Sequence, residues 1–143
     1  MERIVADASV IVKFFKNEDY SEKSRKLREK LIIGEIVIFA PHLLRYEVLN
    51  AMIYSKTKYK AFEINNVYRA LMNYDLKTID NGALFAEAIR ISIANRLSIY
   101  DSTYVAIASV SKFSFILTSS SYVCSDTAMV FTMLPIIYRF INI

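Results

Sequence analysis

The sequence predicts a single α/β domain in which a central parallel sheet carries helices on both faces. Its 143 residues suit one domain, spanning 1–143. Short apolar runs alternate with longer segments of helical periodicity, which is typical of a parallel sheet with crossover helices. The runs at 36–40 and 115–117 are apolar throughout, as expected for strands that are buried on both faces.

In the first half of the chain, the first three predicted segments each end at a residue that favours a turn or a cap. In order, the segments are a strand at 3–6 that ends at Asp7, a charged helix at 18–33 closed by Gly34, a strand at 36–40 stopped by Pro41, and helices at 43–56 and 61–73. Gly34 suits the left-handed conformation that commonly terminates a helix. Leucine and valine residues one turn apart give the helix at 43–56 an apolar stripe.

The second half continues the alternation. The predicted segments are a strand at 76–79, a helix at 81–96 with Asp80 as its N-cap, a helix from Ser98 to about 110, a strand at 113–117 and a candidate last strand at 133–137. Ser98 and Asp101 have the spacing of a capping box. Together the segments predict a sheet of four or five strands.

Composition excludes several classes of site. The chain has one cysteine, one histidine and two glycines, which excludes an intramolecular disulfide framework, a cysteine-rich zinc site and a glycine-rich phosphate loop. The lone cysteine fits a reducing cytosol, so a cytoplasmic location is expected. The most membrane-like stretch, 127–138, is too short to span a bilayer, and no membrane association is expected. The net charge of +4 (18 − 14) is compatible with an anionic partner.

Three carboxylates are predicted to meet beyond the carboxyl ends of the strands, where function collects in open α/β sheets. Asp7 ends the first strand, Glu47 lies about one turn into the helix after the second, and Asp101 opens the helix before the fourth. Each has a simpler interpretation by itself: Asp7 as the cap of a short helix, Glu47 as a solvated residue and Asp101 as a capping acid. Their convergence under one topology favours a shared site.

Converging carboxylates repel one another unless a cation neutralises them. Oxygen ligands without cysteine or histidine select Mg²⁺ or Mn²⁺. Such ions activate water and stabilise charge on a phosphodiester. The residue types therefore suggest metal-dependent phosphodiester hydrolysis.

Three segments resemble the motifs of PIN domains of the VapC type, the toxin nucleases of VapBC toxin–antitoxin pairs. They are VADASVIVK at 5–13, PHLLRYEVLNA at 41–51 and YDSTYVAIA at 100–108. The first contains Asp7, the second contains Glu47 with Asn50 three residues on, and the third contains Asp101. Each motif alone is weak, but their order and spacing agree over nearly the whole chain.

The resemblance implies a three-layer α/β/α fold and an endoribonuclease that depends on Mg²⁺ or Mn²⁺. It implies that Asp7, Glu47 and Asp101 are metal ligands, that Asn50 orients them, and that Ser9 and Thr118 bind ligands or water. It also implies a homodimer and a small VapB-like antitoxin as partners. One departure is that Ser120 stands where the family usually has a fourth acid.

Basic residues supply candidate contacts to RNA. Lys56, Lys58 and Lys60 alternate with other residues beside Tyr54 and Tyr59, a pattern that suits phosphate contact and base stacking on single-stranded RNA. Lys13, at the end of the first motif, is a further candidate. A solvated helix end and loop is the simpler explanation of the lysines at 56–60.

Two other functions are compatible with the sequence. A degenerate PIN fold would bind RNA or antitoxin without cutting, and Ser120 is the reason to consider it. An unrelated α/β phosphohydrolase or receiver-like module would use the acids and Mg²⁺ on a phosphate monoester. Turnover of a small phosphate ester, with RNA untouched, would identify the latter.

Overall fold

A computed structural model of the protein describes residues 1–19, 21–111 and 114–116, the last three as backbone. The elements follow one another as β1 (Glu2–Ala6), α1 (Ala8–Val12), α2 (Ser21–Ile32), β2 (Ile36–Ala40), α3 (Leu44–Ile53), α4 (Ala61–Asn73), β3 (Lys77–Thr78), α5 (Gly82–Asn95), α6 (Ile99–Ser111) and β4 (Ser114–Ile116). The predicted alternation of strands and helices is therefore present.

The four described strands form one parallel sheet in the order β3-β2-β1-β4. Strand β1 is central, with Glu2 opposite Ile36 on one side and Ala6 opposite Ile116 on the other. Ile4, Val5 and Ala6 are buried in succession. Because successive side chains of a strand point to opposite faces, both faces of the sheet are covered at its centre. The predicted parallel α/β fold is confirmed, and the candidate strand at 133–137 lies outside the described residues.

The core lies between the sheet and the apolar stripes of the helices. Helix α6 packs on β1, β2 and β4, and α5 packs along α6. Helix α3, which follows β2, buries its residues Leu44, Val48 and Met52. These residues are four positions apart and so lie on one stripe of the helix. This packing holds α6 against the sheet, and α3 packs against α1 and α4.

Gly34 ends α2 as predicted. Its φ is +77°, a left-handed conformation that a residue without Cβ adopts at no steric cost. The Gly34 N–H donates to the Leu31 carbonyl at 3.2 Å, and the Glu35 N–H donates to the Lys30 carbonyl at 2.9 Å. These bonds satisfy carbonyls left open at the end of the helix and turn the chain into β2.

Two features of the prediction need correction. The N-cap of α5 is Asn81 rather than Asp80: the backbone of Asn81 is extended, and its Oδ1 accepts the N–H of Leu84 at 2.9 Å. An N-cap side chain reaches the N–H two or three residues on, so Asp80 lies one residue too early. The structure also contains α1, a helix of five residues that was not predicted as a separate element.

Ile38→Ala is expected to lower the free energy of unfolding by about 2–5 kcal/mol, because it leaves a cavity in the core next to β1. Ile38 is fully buried. Ile33→Ala is the matched control because Ile33 is exposed, and it should change the free energy of unfolding by less than about 0.5 kcal/mol. Urea unfolding measures both, and equal losses in the two variants would contradict the core described here.

Among the helices of the described ranges, none combines the length and the apolarity that a transmembrane span needs.

Candidate active site

Three acidic residues lie where the parallel strands end. Asp7 directly follows β1, and Glu47 is in the first turn of α3, which begins shortly after β2. Asp101 is in the first turn of α6. Helix α6 directly precedes β4 and packs on it in the opposite direction. The first turn of α6 therefore lies at the same edge of the sheet as the end of β4.

Asp7 is both the cap of α1 and a member of this group. Its backbone is extended, and its Oδ1 accepts the Val10 N–H at 3.1 Å. The same oxygen accepts the Ser9 hydroxyl at 2.6 Å. The simpler interpretation of Asp7 as a helix cap is thus correct, and it fixes the carboxylate at the end of β1. Ser9 contacts Asp7, as expected of a supporting residue.

Glu47 is half-buried and accepts a hydrogen bond from the hydroxyl of Tyr104 on its Oε2. The two residues are 57 positions apart in the chain, and the bond joins α3 to α6. Tyr104 is 3% exposed. Its aromatic ring therefore belongs to the core, while its hydroxyl reaches the group of carboxylates.

Asp101 is held by the residue that precedes its helix. The Asp101 N–H donates to the Ser98 hydroxyl at 3.1 Å, and that hydroxyl donates to Asp101 Oδ2 at 2.5 Å. The predicted capping interaction between Ser98 and Asp101 is confirmed. It directs one carboxylate oxygen of Asp101 toward its own helix terminus.

The three carboxylates interact electrostatically. Burial raises the pKa of Asp7; hydrogen bonds from Ser9 and Val10 oppose this, and the charge of Asp101 adds to it. Burial also raises the pKa of Glu47, the Tyr104 hydrogen bond opposes this, and the charges of Asp101 and Asp7 add to it. The pKa of the Tyr104 phenol is raised well above its usual value, first by burial and then by the contact with Glu47.

In the part of the chain that the structure describes, this negative charge is not paired with a lysine or arginine side chain. The ion pairs found across the described ranges do not include Asp7, Glu47 or Asp101. A group of desolvated carboxylate oxygens without a cationic neighbour is a donor set suited to a hard divalent cation. In chemical terms the residues fit Mg²⁺ or Mn²⁺.

The carboxylates do not yet surround a common point. In the part of the chain that the structure describes, no three histidine, cysteine, aspartate or glutamate side chains stand in an arrangement that holds a metal ion. Each carboxylate accepts a side-chain hydrogen bond on one of its oxygens, Asp7 from Ser9, Glu47 from Tyr104 and Asp101 from Ser98. The structure thus brings the three acids to one edge of the sheet without closing a coordination sphere.

Other predicted site residues lie outside this group. Asn50 is exposed one turn beyond Glu47, and no described hydrogen bond joins its side chain to the three acids. Lys56, Lys58 and Lys60 are exposed between α3 and α4. Thr118 and Ser120 lie outside the described residues.

Lys13 is not a free surface charge. Its Nζ lies 3.5 Å from Glu18 Oε2, and its side chain is 13% exposed. Lys16 pairs with the same glutamate. Salt bridges and hydrogen bonds to both lysines lower the pKa of Glu18, the contact with Lys16 being the largest cause. Two lysines thus share one carboxylate just after α1.

Tyr104 is the residue that sequence reasoning missed. It lies inside the third motif, yet its partner is on a helix 57 residues earlier, so no local pattern indicates the contact. The available signal was its position one turn after Asp101, because residues three apart on a helix are neighbours.

The family is established by comparison with known proteins. The PIN domain family matches residues 4–120, most of the chain, and includes all three acids and the position of Ser120. The chain belongs to the PIN domain family. PIN domains are in general nucleases, and PIN nucleases usually use divalent metal ions. No match was found among curated proteins.

Solved structures with a similar fold come from several organisms. VapC20 of Mycobacterium tuberculosis, a toxin that cleaves the sarcin-ricin loop, has a TM-score of 0.60 at 9% identity, over 78% of this chain and 85% of that one. FitAcB from Neisseria gonorrhoeae has a TM-score of 0.56 at 12% identity, over 82% and 88%. PAE2754 from Pyrobaculum aerophilum has a TM-score of 0.60 at 15% identity, over 94% and 95%. At these identities the likeness concerns the fold.

Proposed function

We propose that the protein is a metal-dependent endoribonuclease that hydrolyses RNA phosphodiesters at the edge of the sheet where Asp7, Glu47 and Asp101 meet. The observation that supports this most directly is the group of mutually repelling carboxylates, which form no salt bridge with the described residues, in a chain of the PIN family. Burying such charges destabilises a fold. A site that binds a cation gives a reason for retaining them.

In this proposal Asp7, Glu47 and Asp101 are the ligands of Mg²⁺ or Mn²⁺. The bound ion would supply activation of water and stabilisation of charge on the phosphodiester. Ser9 and the Val10 N–H hold the Asp7 carboxylate at the end of β1. The hydrogen bond between Ser98 and Asp101 is the contact to be exchanged when the carboxylates turn toward a common ion.

The remaining predicted site residues enter the proposal as supporting groups. Asn50 would orient the acids, and Thr118 and Ser120 would bind ligands or water. Since Asn50 is exposed, its contribution would need RNA or a partner to cover this face of α3.

The RNA substrate is supported by the basic residues. Lys56, Lys58 and Lys60 are exposed on the segment that follows α3, the helix that carries Glu47. Cations in such a place contact phosphates of a nucleic acid and make binding dependent on salt. Lys13 would contact RNA phosphates together with Lys16, with which it shares the Glu18 carboxylate.

A role as the toxin of a toxin–antitoxin pair fits the same fold. VapC20 is described as a toxin that cleaves the sarcin-ricin loop, and its fold is shared at low identity. We therefore propose a VapC-type toxin with a small VapB-like antitoxin as its partner. The homodimer and the cytoplasmic location remain predictions.

The second candidate is a PIN fold that binds RNA or antitoxin without cutting. Two observations favour it: Ser120 replaces the usual fourth acid, and the described residues include no group of three acids arranged to hold a metal ion. With one fewer acid, a site of this kind would hold a single cation more readily than two.

Cleavage of a mixed-sequence single-stranded RNA by the purified, antitoxin-free protein tests the proposal. Parallel reactions contain Mn²⁺, Mg²⁺ or EDTA, and p-nitrophenyl phosphate replaces RNA in a further set. We expect RNA fragments with either ion, none with EDTA, and no release of p-nitrophenol.

The other outcomes are equally informative. Release of p-nitrophenol with intact RNA would establish a monoester phosphohydrolase instead. Binding of RNA and Mn²⁺ without RNA fragments would favour the PIN fold that binds without cutting. If a Ser120→Asp variant then cleaved RNA, the missing fourth acid would be identified as the cause.

A further inference from the structure

Tyr104 joins the two helices that carry site acids. It lies on α6 one turn after Asp101, and its hydroxyl donates to Oε2 of Glu47 on α3. Tyr104 is 3% exposed, so the surrounding core holds its ring in place. The hydroxyl therefore reaches the site from a rigid position.

We propose that Tyr104 is a positioning residue that fixes the Glu47 carboxylate for binding of a divalent cation. This inference depends on the proposed function, because it assigns Tyr104 a role toward the same ion. A phenol is a donor at neutral pH, and a hydrogen bond from a neutral donor leaves the negative charge of the carboxylate available. A lysine at the same place would hold Glu47 equally well but would compete with the cation.

The arrangement also explains why both partners tolerate burial. A buried hydroxyl without a hydrogen-bond partner destabilises a fold, and so does a desolvated carboxylate. The bond between Tyr104 and Glu47 satisfies one oxygen of each group. It leaves the second carboxylate oxygen of Glu47 without a hydrogen bond among the residues that the structure describes.

Neighbouring residues do not provide a substitute. Ser102 lies on the same helix and is fully buried, yet its Oγ has no hydrogen-bond partner in the described part of the protein. Tyr100 is 62% exposed. Tyr104 is thus the α6 hydroxyl that the structure aims at Glu47.

Isothermal titration calorimetry of Mn²⁺ binding to the metal-free Tyr104→Phe variant, with no RNA present, tests the inference. We expect Mn²⁺ to bind about 10–100-fold more weakly than to the wild type, the usual effect of removing a group that orients a metal ligand. Tyr100→Phe is the matched control, because it removes a hydroxyl from the exposed side of the same helix. It should bind Mn²⁺ with wild-type affinity.

A double-mutant cycle separates positioning from a merely structural role. In a Glu47→Gln background, Tyr104→Phe should cause no further loss of Mn²⁺ affinity, because the residue through which it acts has already been changed. A further tenfold loss in that background would overturn the proposal. In RNA cleavage, we expect Tyr104→Phe to lower kcat and leave the KM for RNA unchanged.

The failures can be told apart. If the wild type itself binds no Mn²⁺, the proposed function and this inference both fail. If the wild type binds Mn²⁺ and Tyr104→Phe binds it equally well, only the inference fails. Far-UV circular dichroism checks folding, and if Tyr104→Phe is destabilised, the titrations are repeated at a lower temperature at which circular dichroism shows the variant to be folded.

Discussion

Asp7→Asn is expected to lower RNA cleavage by more than about a hundredfold while leaving the protein folded. Loss of a residue behind a metal ligand typically costs 10–100-fold, and Asp7 is proposed as a ligand itself. Asparagine is as good an N-cap as aspartate, and its Oδ1 can still accept from Val10 and Ser9. The substitution therefore removes charge from the site while preserving the start of α1. Cleavage rates with Mn²⁺ and thermal unfolding measure the two effects separately.

Glu47→Gln and Asp101→Asn should lose cleavage to a comparable extent, because the three acids are proposed to bind one ion together. Asp80→Asn is the matched control: Asp80 is exposed and precedes the cap of α5. It should retain wild-type activity. If Asp101→Asn cleaves like the wild type, the assignment of the site is wrong.

The fold was predictable because it rests on signals that are local in the chain. Fully apolar strands, Gly34 after α2, and Ser98 before α6 each depend on residues within one or two turns. The same locality explains the errors. Asp80 and Asn81 are adjacent residues that both favour the N-cap position, and the sequence does not show which of them caps the helix; the structure places Asn81 there. Helix α1 has five residues, too few to display a helical period.

The site was predictable as far as topology extends. Parallel strands finish at one edge, so Asp7, Glu47 and Asp101 were expected to lie near one another, and the influence of their charges on the pKa values of Asp7 and Glu47 agrees with this. The orientation of the Glu47 carboxylate was not predictable, because it depends on the contact of Glu47 with Tyr104, which requires two distant helices to be packed at a particular distance.

Without metal, the site is expected to make the protein less stable as the pH rises. The pKa values of Asp7 and Glu47 are raised in the native state from ordinary values of 3.8 and 4.5, mainly by burial. Between those values and the raised ones, the native state holds protons that the unfolded chain has released. The free energy of unfolding therefore falls with pH across this range. Glu18, whose pKa is lowered, has the opposite effect.

Comparison with the Asp7→Asn/Glu47→Gln variant isolates the contribution of the two acids, because all other titrating groups are shared. In EDTA, the variant should match the wild type most closely near pH 4 and exceed it at neutral pH by about 1 kcal/mol. For a chain of this size, that difference is about 3 °C in Tm. Urea or thermal unfolding from pH 4 to 8 measures it, and a wild type that gains stability over the variant as the pH rises would contradict the burial of these charges.

A divalent metal ion should reverse the order of stability of the wild type and the Asp7→Asn/Glu47→Gln variant. An ion that binds only the native state stabilises it by about 2.7 kcal/mol when present at 100 times its Kd. The wild type should gain this stability in Mn²⁺, whereas the variant, which lacks two of the proposed ligands, should gain little. The wild type would then become the more stable protein at neutral pH. A binding site explains the reversal, because the carboxylates whose burial and mutual repulsion destabilise the metal-free protein are the groups that attract the cation. Buried carboxylates that served only as caps would show the loss of stability with pH but no gain of stability in Mn²⁺.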